Sequence, residues 1–321
     1  MSISAALTAR VPQEMAGNRL DQVCADLFPD YSRSRIQQWI KSGKLLVDDK
    51  TGKAKQKVFG GENLVLEPEL QEEGEWLPEP INLNIVYEDE HIIVINKQAG
   101  LVVHPAAGNW SGTLLNGLLH HVPSLVNVPR AGIVHRLDKD TTGLMVVAKS
   151  LPTQTHLVAQ LQARTVSRYY QAVVHGTFAA KDKLGTVDIA IGRHPTQRVK
   201  MAALENSGKP AVTHYRVVKD LQGFAHVHLQ LETGRTHQIR VHMAHIGYPL
   251  VGDQVYGKKV PTKVRNHNPG AVHADAFPRQ ALHAWRLSLV HPVTEETVFW
   301  EADLPEDMVQ LIDQLTEGEG D

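Results

Sequence analysis

The sequence predicts an α+β chain in two unequal parts, a small N-terminal domain and a larger domain on a mainly antiparallel mixed sheet. Three observations predict it. After residue 80, strand-like segments outnumber helical ones and do not strictly alternate with them, which argues against a doubly wound parallel sheet. A proline- and glutamate-rich stretch interrupts the periodic pattern at about residues 68–80. The chain has 321 residues, more than one small core organises.

The first domain, placed at residues 17–75, opens with Leu20, Val23, Cys24, Leu27 and Phe28. Their spacing is that of an amphipathic helix. Ser32 is placed to cap a second helix whose apolar face is Ile36, Trp39 and Ile40, ended by Gly43. Short strands follow, punctuated by Gly52, Gly60 and Gly61. Arg33, Arg35, Lys41 and Lys44 flank the second helix, and Lys53, Lys55 and Lys57 recur at every second residue.

The larger domain, placed at residues 81–312, begins with two strands around an acidic turn in NIVYEDEHIIVINK. SGTLLNGLLHHV and PTQTHLVAQLQA read as helices, SRYYQAVVHGTF and GTVDIAI as strands. AVTHYRVVKDLQGFAHVHLQLETG reads as a hairpin, with Val227, Leu229 and Leu231 alternating. HQIRVHMAHIG ends at a glycine, and LPEDMVQLIDQL is a closing helix. Residues 313–321 form an acidic tail, expected to lack structure.

Charge is segregated along the chain. The net charge is −2, yet residues 61–96 carry ten acids and no base, and residues 301–321 carry eight acids and no base. The remaining segments are basic, which suits a polyanionic partner. Loop charge that serves only solubility explains the same count, and charge alone does not choose. No apolar run approaches the roughly 20 residues that span a bilayer. The N-terminus lacks the basic lead and apolar stretch of a signal peptide. With Cys24 as the single cysteine, no internal disulfide forms. A cytoplasmic protein without a membrane partner, acting as a monomer, is the expectation.

AGIVHRLDKDTTGLMVVAK, residues 131–149, sets five ionisable side chains between core-like segments. Ile133 and Val134 are expected to end a buried strand, and Leu144–Ala148 to form the next. The charged stretch then emerges at the sheet's edge, with Gly143 permitting a tight return. Charged loops on rigid scaffolds commonly carry function, although most are simply solvated.

Two resemblances sharpen this reading. Residues 17–66 resemble a ribosomal protein S4-type RNA-binding domain, which implies phosphate contacts by Arg33, Arg35, Lys41, Lys44, Lys53, Lys55 and Lys57. HRLDKDTTGL resembles the central signature of the A family of ribosomal large-subunit pseudouridine synthases. INKQAGLVVHP, with Lys97 and His104, SRYYQAVVHG and LETGRTHQIRVHMAHIGYPLVGDQVYG resemble its other motifs in order. The resemblance covers about residues 80–312. It implies the pseudouridine synthase fold, Asp138 as catalytic carboxylate, Tyr170 as active-site tyrosine, Arg240 as the third-motif arginine, and Arg136 as the residue that fills the gap left by a flipped base. Its implied substrate is large-subunit (23S) ribosomal RNA, free or in a precursor particle, at uridines of the stem-loop called helix 69. Another ribosomal or transfer RNA site is the alternative.

The residues suit that chemistry. Uridine becomes pseudouridine when the ribose–nitrogen bond breaks, the ring turns and a ribose–carbon bond forms. Nothing is oxidised and no cofactor is required. A carboxylate serves as nucleophile or base, and the sequence leaves open whether Asp138 attacks uracil, attacks the anomeric carbon or removes a ribose proton. Burial disfavours an ionised carboxylate, so a cation is needed beside it, and Arg240 offers a planar fork. Of the adjacent Tyr169 and Tyr170, strand alternation lets only one face the pocket. Eighteen histidines invite a metal reading, but His237, His242 and His245 lack the i, i+4 spacing of a helical zinc pair. A metal-dependent nuclease built on Asp138 and Asp140 leaves the tyrosine and arginine motifs unexplained, so no metal site is expected. A non-catalytic assembly factor explains the first domain but not the central motif.

Overall fold

The computed structural model describes residues 6–29, 33–67, 76–105, 109–197, 200–205 and 207–316. The chain divides into two compact units, Met1–Glu75 and Trp76–Asp321.

The first unit contains β1 (Leu7–Arg10), α1 (Leu20–Leu27), α2 (Arg33–Ser42), β2 (Leu45–Val47), β3 (Lys50–Thr51) and β4 (Asn63–Leu66). Its sheet has the order β1-β4-β2-β3, all antiparallel. The apolar faces of both helices close on Leu45, Leu64 and Leu66 in one core. That burial, rather than intrinsic propensity, makes helices of ten residues or fewer stable. Ser32 and the side chain of Arg35 lie outside the described residues.

This unit starts earlier than residue 17. Leu7–Arg10 pairs with Leu66–Asn63 and so covers an edge of β4 that would otherwise expose its backbone groups. Lys53–Lys57 is loop rather than strand, with only Lys57 bridged, to Arg19.

The second unit contains β5 (Ile85–Glu88), β6 (Ile92–Lys97), α3 (Leu114–His121), β7 (Thr142–Ala148), α4 (Leu151–Ala163), β8 (Ser167–His175), β9 (Leu184–Asp188), β10 (Ile191–Arg193), β11 (Met201–Ala203), β12 (Val212–Asp220), β13 (Phe224–Leu231), α5 (Gln238–His245), α6 (Thr262–His267), α7 (Ala271–Ala276), β14 (Leu282–Val290), β15 (Thr297–Glu301) and α8 (Glu306–Thr316). Nine strands form one sheet in the order β5-β6-β7-β14-β8-β13-β12-β9, with β15 also on β14. Its pairings are antiparallel except β7 with β14. Alternation divides the strands between two faces. Tyr170, Ala172, Val227 and Leu229 join the core beneath α3 and α5. Val173 and Phe224 face the other way, toward α7 and α8.

Two further boundaries differ from those the sequence predicts. The linker expected over 68–80 already belongs to the second unit at Trp76, which packs on the main core together with Ile81. The Asn116 side-chain amide donates to the Leu77 carbonyl at 2.9 Å, and the Glu79 amide to the Asn116 carbonyl at 3.0 Å. Residues 313–316 are helix, because Leu315 is fully buried beside Met308 and Leu311. The rest of the expected tail, 317–321, lies outside the described residues.

Ile133 and Val134 end no strand. Residues 129–132 make a tight turn with Arg130, Ala131 and Gly132 all at positive φ, and Ile133 forms a single bridge to Val147. A Cβ on Gly132 would lie 1.8 Å from the Ala148 carbonyl oxygen, so only glycine lets the chain approach β7 this closely. The charged stretch therefore rises from the middle of the sheet, since β7 lies between β6 and β14.

Candidate active site

The charged stretch is pinned from several sides before β7 begins. Leu137 is buried in the main core, whereas Arg136 is exposed and Asp138 half-buried. His135 Nε2 accepts the Val146 amide at 3.0 Å. Burial, with Arg168 adding to it, pushes the His135 pKa down to about 3, so the ring is neutral and able to accept. The Asp138 carbonyl accepts the Thr141 amide in a turn.

Beneath this loop lies Lys97, fully buried at the end of β6. Its ammonium donates to the carbonyls of Gln98, Leu101 and Lys139 at 2.9, 3.0 and 2.9 Å. Burial lowers its pKa to about 8 against the charges of Asp140 and Asp138. The third bond reaches 42 residues along the chain and holds the backbone directly after Asp138.

Arg240 comes from α5 and, with Asp138, lines an open cleft of about 840 Å³. Its Nη1 lies 2.9 Å from Asp138 Oδ2. Its Nε and Nη2 clasp Asp253 at 2.7 and 2.9 Å. Burial disfavours the charged guanidinium, but Asp253 and then Asp138 outweigh it and raise its pKa. Asp253 is itself fully buried. Burial would raise its pKa, yet Arg240 and the amides of Tyr256 and Val255 lower it. One arginine thus joins a sealed carboxylate to one that is 18% exposed at the cleft.

Tyr170 on β8 lines the same cleft and is 5% exposed. Burial raises its pKa, opposed by Arg168 and aided by Asp138. Tyr169 lies on the opposite sheet face, its ring 5.9 Å from the Arg286 guanidinium. Arg136 is exposed at the cleft, and among the described residues no ion pair ties it to Asp140. His237, which precedes α5, sits at φ +57° with Nε2 3.9 Å from Asp138 Oδ1. Its Nδ1 is 2.8 Å from the Tyr256 hydroxyl, which accepts the Met201 amide.

The fold therefore brings Asp138, Arg240, Tyr170 and Arg136 around one cleft from separate segments of the chain. Sequence reasoning missed Asp253 and Tyr256, and weighed His237 only as a metal ligand. All three lie inside the third-motif segment, but no spacing rule marks them. Among the described residues, no three His, Cys, Asp or Glu side chains are placed to hold a metal ion, and no helix is long and apolar enough to cross a membrane.

In the N-terminal unit, Lys41, Lys53, Lys55 and Lys57 are exposed and Lys44 is half-buried. Arg33 has a different occupation. With Arg19 and Gln37 it converges on Asp21, whose side chain is fully buried. Burial would raise the Asp21 pKa, but these donors hold it well below the usual carboxylate range.

The sequence pattern of the RNA pseudouridylate synthase family matches residues 91–245, and that of the S4 domain matches residues 18–63. The ribosomal large subunit pseudouridine synthase D of Pseudomonas aeruginosa is 57% identical over 307 residues, covering 96% of this chain and 95% of that protein. The protein of the same name from Yersinia pestis is 53% identical over 311 residues, covering 96% and 94%. The solved structure of human RNA pseudouridylate synthase domain containing 4 superposes with a TM-score of 0.56 at 27% identity. It covers 72% of this chain and 92% of that one.

Proposed function

The chain belongs to the RNA pseudouridylate synthases, and on that premise we propose that it isomerises uridines of large-subunit ribosomal RNA in the helix 69 stem-loop. The relatives named for the ribosomal large subunit match along nearly their whole length, including the S4 domain. The observation that carries the reading is the Asp138–Arg240 pair at 2.9 Å, set at an open cleft beside Tyr170.

A stacked uridine is out of reach in a folded stem-loop, so it is flipped into the cleft. Arg136 takes its place in the stack, where a guanidinium both stacks and bonds to phosphate. Tyr170 packs its ring on the uracil. Asp138, paired with Arg240 at 2.9 Å, starts the break of the C1′–N1 bond. Three routes use the same carboxylate: attack on the uracil ring, attack on C1′, or removal of a ribose proton. In each, the ring turns, C1′ bonds to C5, C5 loses its proton and N1 gains one, so substrate and product have the same atoms. Asp253 acts through Arg240, holding the guanidinium where Asp138 needs it. Lys97 does the same for the loop backbone. The exposed lysines of the first unit add phosphate contacts, which supply affinity rather than base identity.

Pseudouridine mapping across total RNA from cells with and without this gene tests the reading. Loss at helix 69 is expected. Loss confined to transfer RNA would overturn the substrate assignment.

A further inference from the structure

Three arginines among the described residues are at least nine-tenths buried, and two of them are fully engaged. Arg240 holds two carboxylates. Arg279 holds Asp307 through Nε and Nη2, and its Nη1 donates to the carbonyls of Asp140, Gln280 and Leu282. The third, Arg168, is 8% exposed and has no side-chain hydrogen bond or ion pair among the described residues. Its Nε is sealed from solvent without an acceptor. A buried guanidinium left unpaired is among the costlier arrangements a fold can keep.

Arg168 occupies a specific place. It sits on β8 two residues before Tyr170, on the same face of the strand, and lines the same cleft. Its guanidinium lies over Gly234, where an added Cβ would come within 2.5 Å of Nη1. The glycine leaves room for the charge. The acid nearest Gly234 along the chain, Glu232, is taken by Arg164 and His214. Burial lowers the Arg168 pKa and Arg235 adds to this, against the effect of Tyr170. Among the described residues, the acids lining this cleft are thus paired with other cations, and none is paired with Arg168.

An RNA substrate carries one class of fixed anion, its phosphodiesters, while uracil enters neutral. We propose that Arg168, lying over Gly234, is a phosphate subsite that receives a phosphodiester flanking the flipped nucleotide. The proposal rests on the pseudouridine synthase reading for the identity of the nucleotide that enters. It adds a binding group distinct from Asp138, Tyr170, Arg240 and Arg136.

The test uses the full chain, wild type and Arg168→Met. The probe is a synthetic helix 69 stem-loop with ordinary linkages, or with one neutral methylphosphonate stepped through the loop. In the wild type, one neutral linkage should weaken binding by about tenfold to a hundredfold, the size of a lost charge-assisted hydrogen bond. Arg168→Met should bind the ordinary RNA equally weakly and be indifferent to that linkage. Arg168→Lys should recover part of the loss. Free Arg168→Met should melt no lower than the wild type, because an unpaired buried charge has been replaced by an apolar chain.

Equal weakening of both proteins by every neutral linkage overturns the proposal. So does a markedly lower melting temperature for Arg168→Met, which makes Arg168 a structural residue. Unchanged binding with a depressed single-turnover rate also overturns it, by assigning Arg168 to the base. If the wild type forms no pseudouridine in any RNA, the function reading fails alone, since the phosphate pairing is read from binding.

Discussion

The Arg240 guanidinium meets the Asp138 carboxylate at 2.9 Å across 102 residues of chain. It is also fixed from behind by Asp253, which lies only 13 residues away and is sealed from solvent. The Asp138–Arg240 pair is therefore part of a three-membered charge row whose rear member never meets the substrate cleft.

Asp253→Asn tests that row. The change keeps shape but removes the charge that holds Arg240. Breaking a buried pair of this kind costs about 3–5 kcal/mol of stability. A misaimed Arg240 is expected to slow the saturated single-turnover rate by about a hundredfold. RNA affinity should change little. Near-normal turnover in a variant shown to be folded would mean Arg240 needs no support from behind.

The N-terminal unit is tested by Lys53, Lys55 and Lys57 changed together to Ala. All three are exposed and carry no part of the unit's core, so folding should be unaffected. If they meet phosphate, the slope of log affinity against log salt becomes shallower by roughly 2–3. The single-turnover rate at saturating protein should stay normal. An unchanged salt slope would remove this loop from the RNA interface.

Acid should destabilise the larger unit well before its carboxylates titrate. Burial pushes His135 down to about 3 and His175, His226 and His283 to about 4. Their folded values lie below the ordinary histidine value, so between pH about 6.5 and 4 the unfolded chain binds protons that the folded chain refuses. Stability is full above that window and falls as pH drops through it, by at most about 1.4 kcal/mol per pH unit for each histidine. Asp253, held below the usual carboxylate range, adds its own loss only at lower pH. Urea melts from pH 7 to pH 5 should show a steadily falling midpoint. A flat profile would contradict the burial of these rings.

Much of this fold is written in local patterns. The helical spacing of Leu20, Val23 and Cys24, and of Ile36, Trp39 and Ile40, marks the residues that meet in the first core. Alternation separates Tyr170 from Tyr169. The stretch from His135 to Asp140 stands out because charges there interrupt apolar segments. What escaped is non-local. Leu7–Arg10 has no turn or period to announce its pairing with β4, and Trp76 sits in an acidic stretch yet packs on a distant core. Arg33 reads as a free basic residue until the fold sets it against Asp21. Asp253 resembles any loop acid until α5 brings Arg240 to it. That Arg168 has no partner among the described residues is something only the assembled structure can reveal.

The central claim is that the Asp138 carboxylate performs the isomerisation while other groups hold the RNA. Single-turnover pseudouridine formation by Asp138→Asn, at saturating protein checked by mass spectrometry for deamidation, tests it most directly. The predicted result is a rate lowered by at least about 10²–10⁴-fold, as for loss of a general acid–base group, with RNA binding reduced no more than modestly. A rate close to that of the wild type would contradict the account.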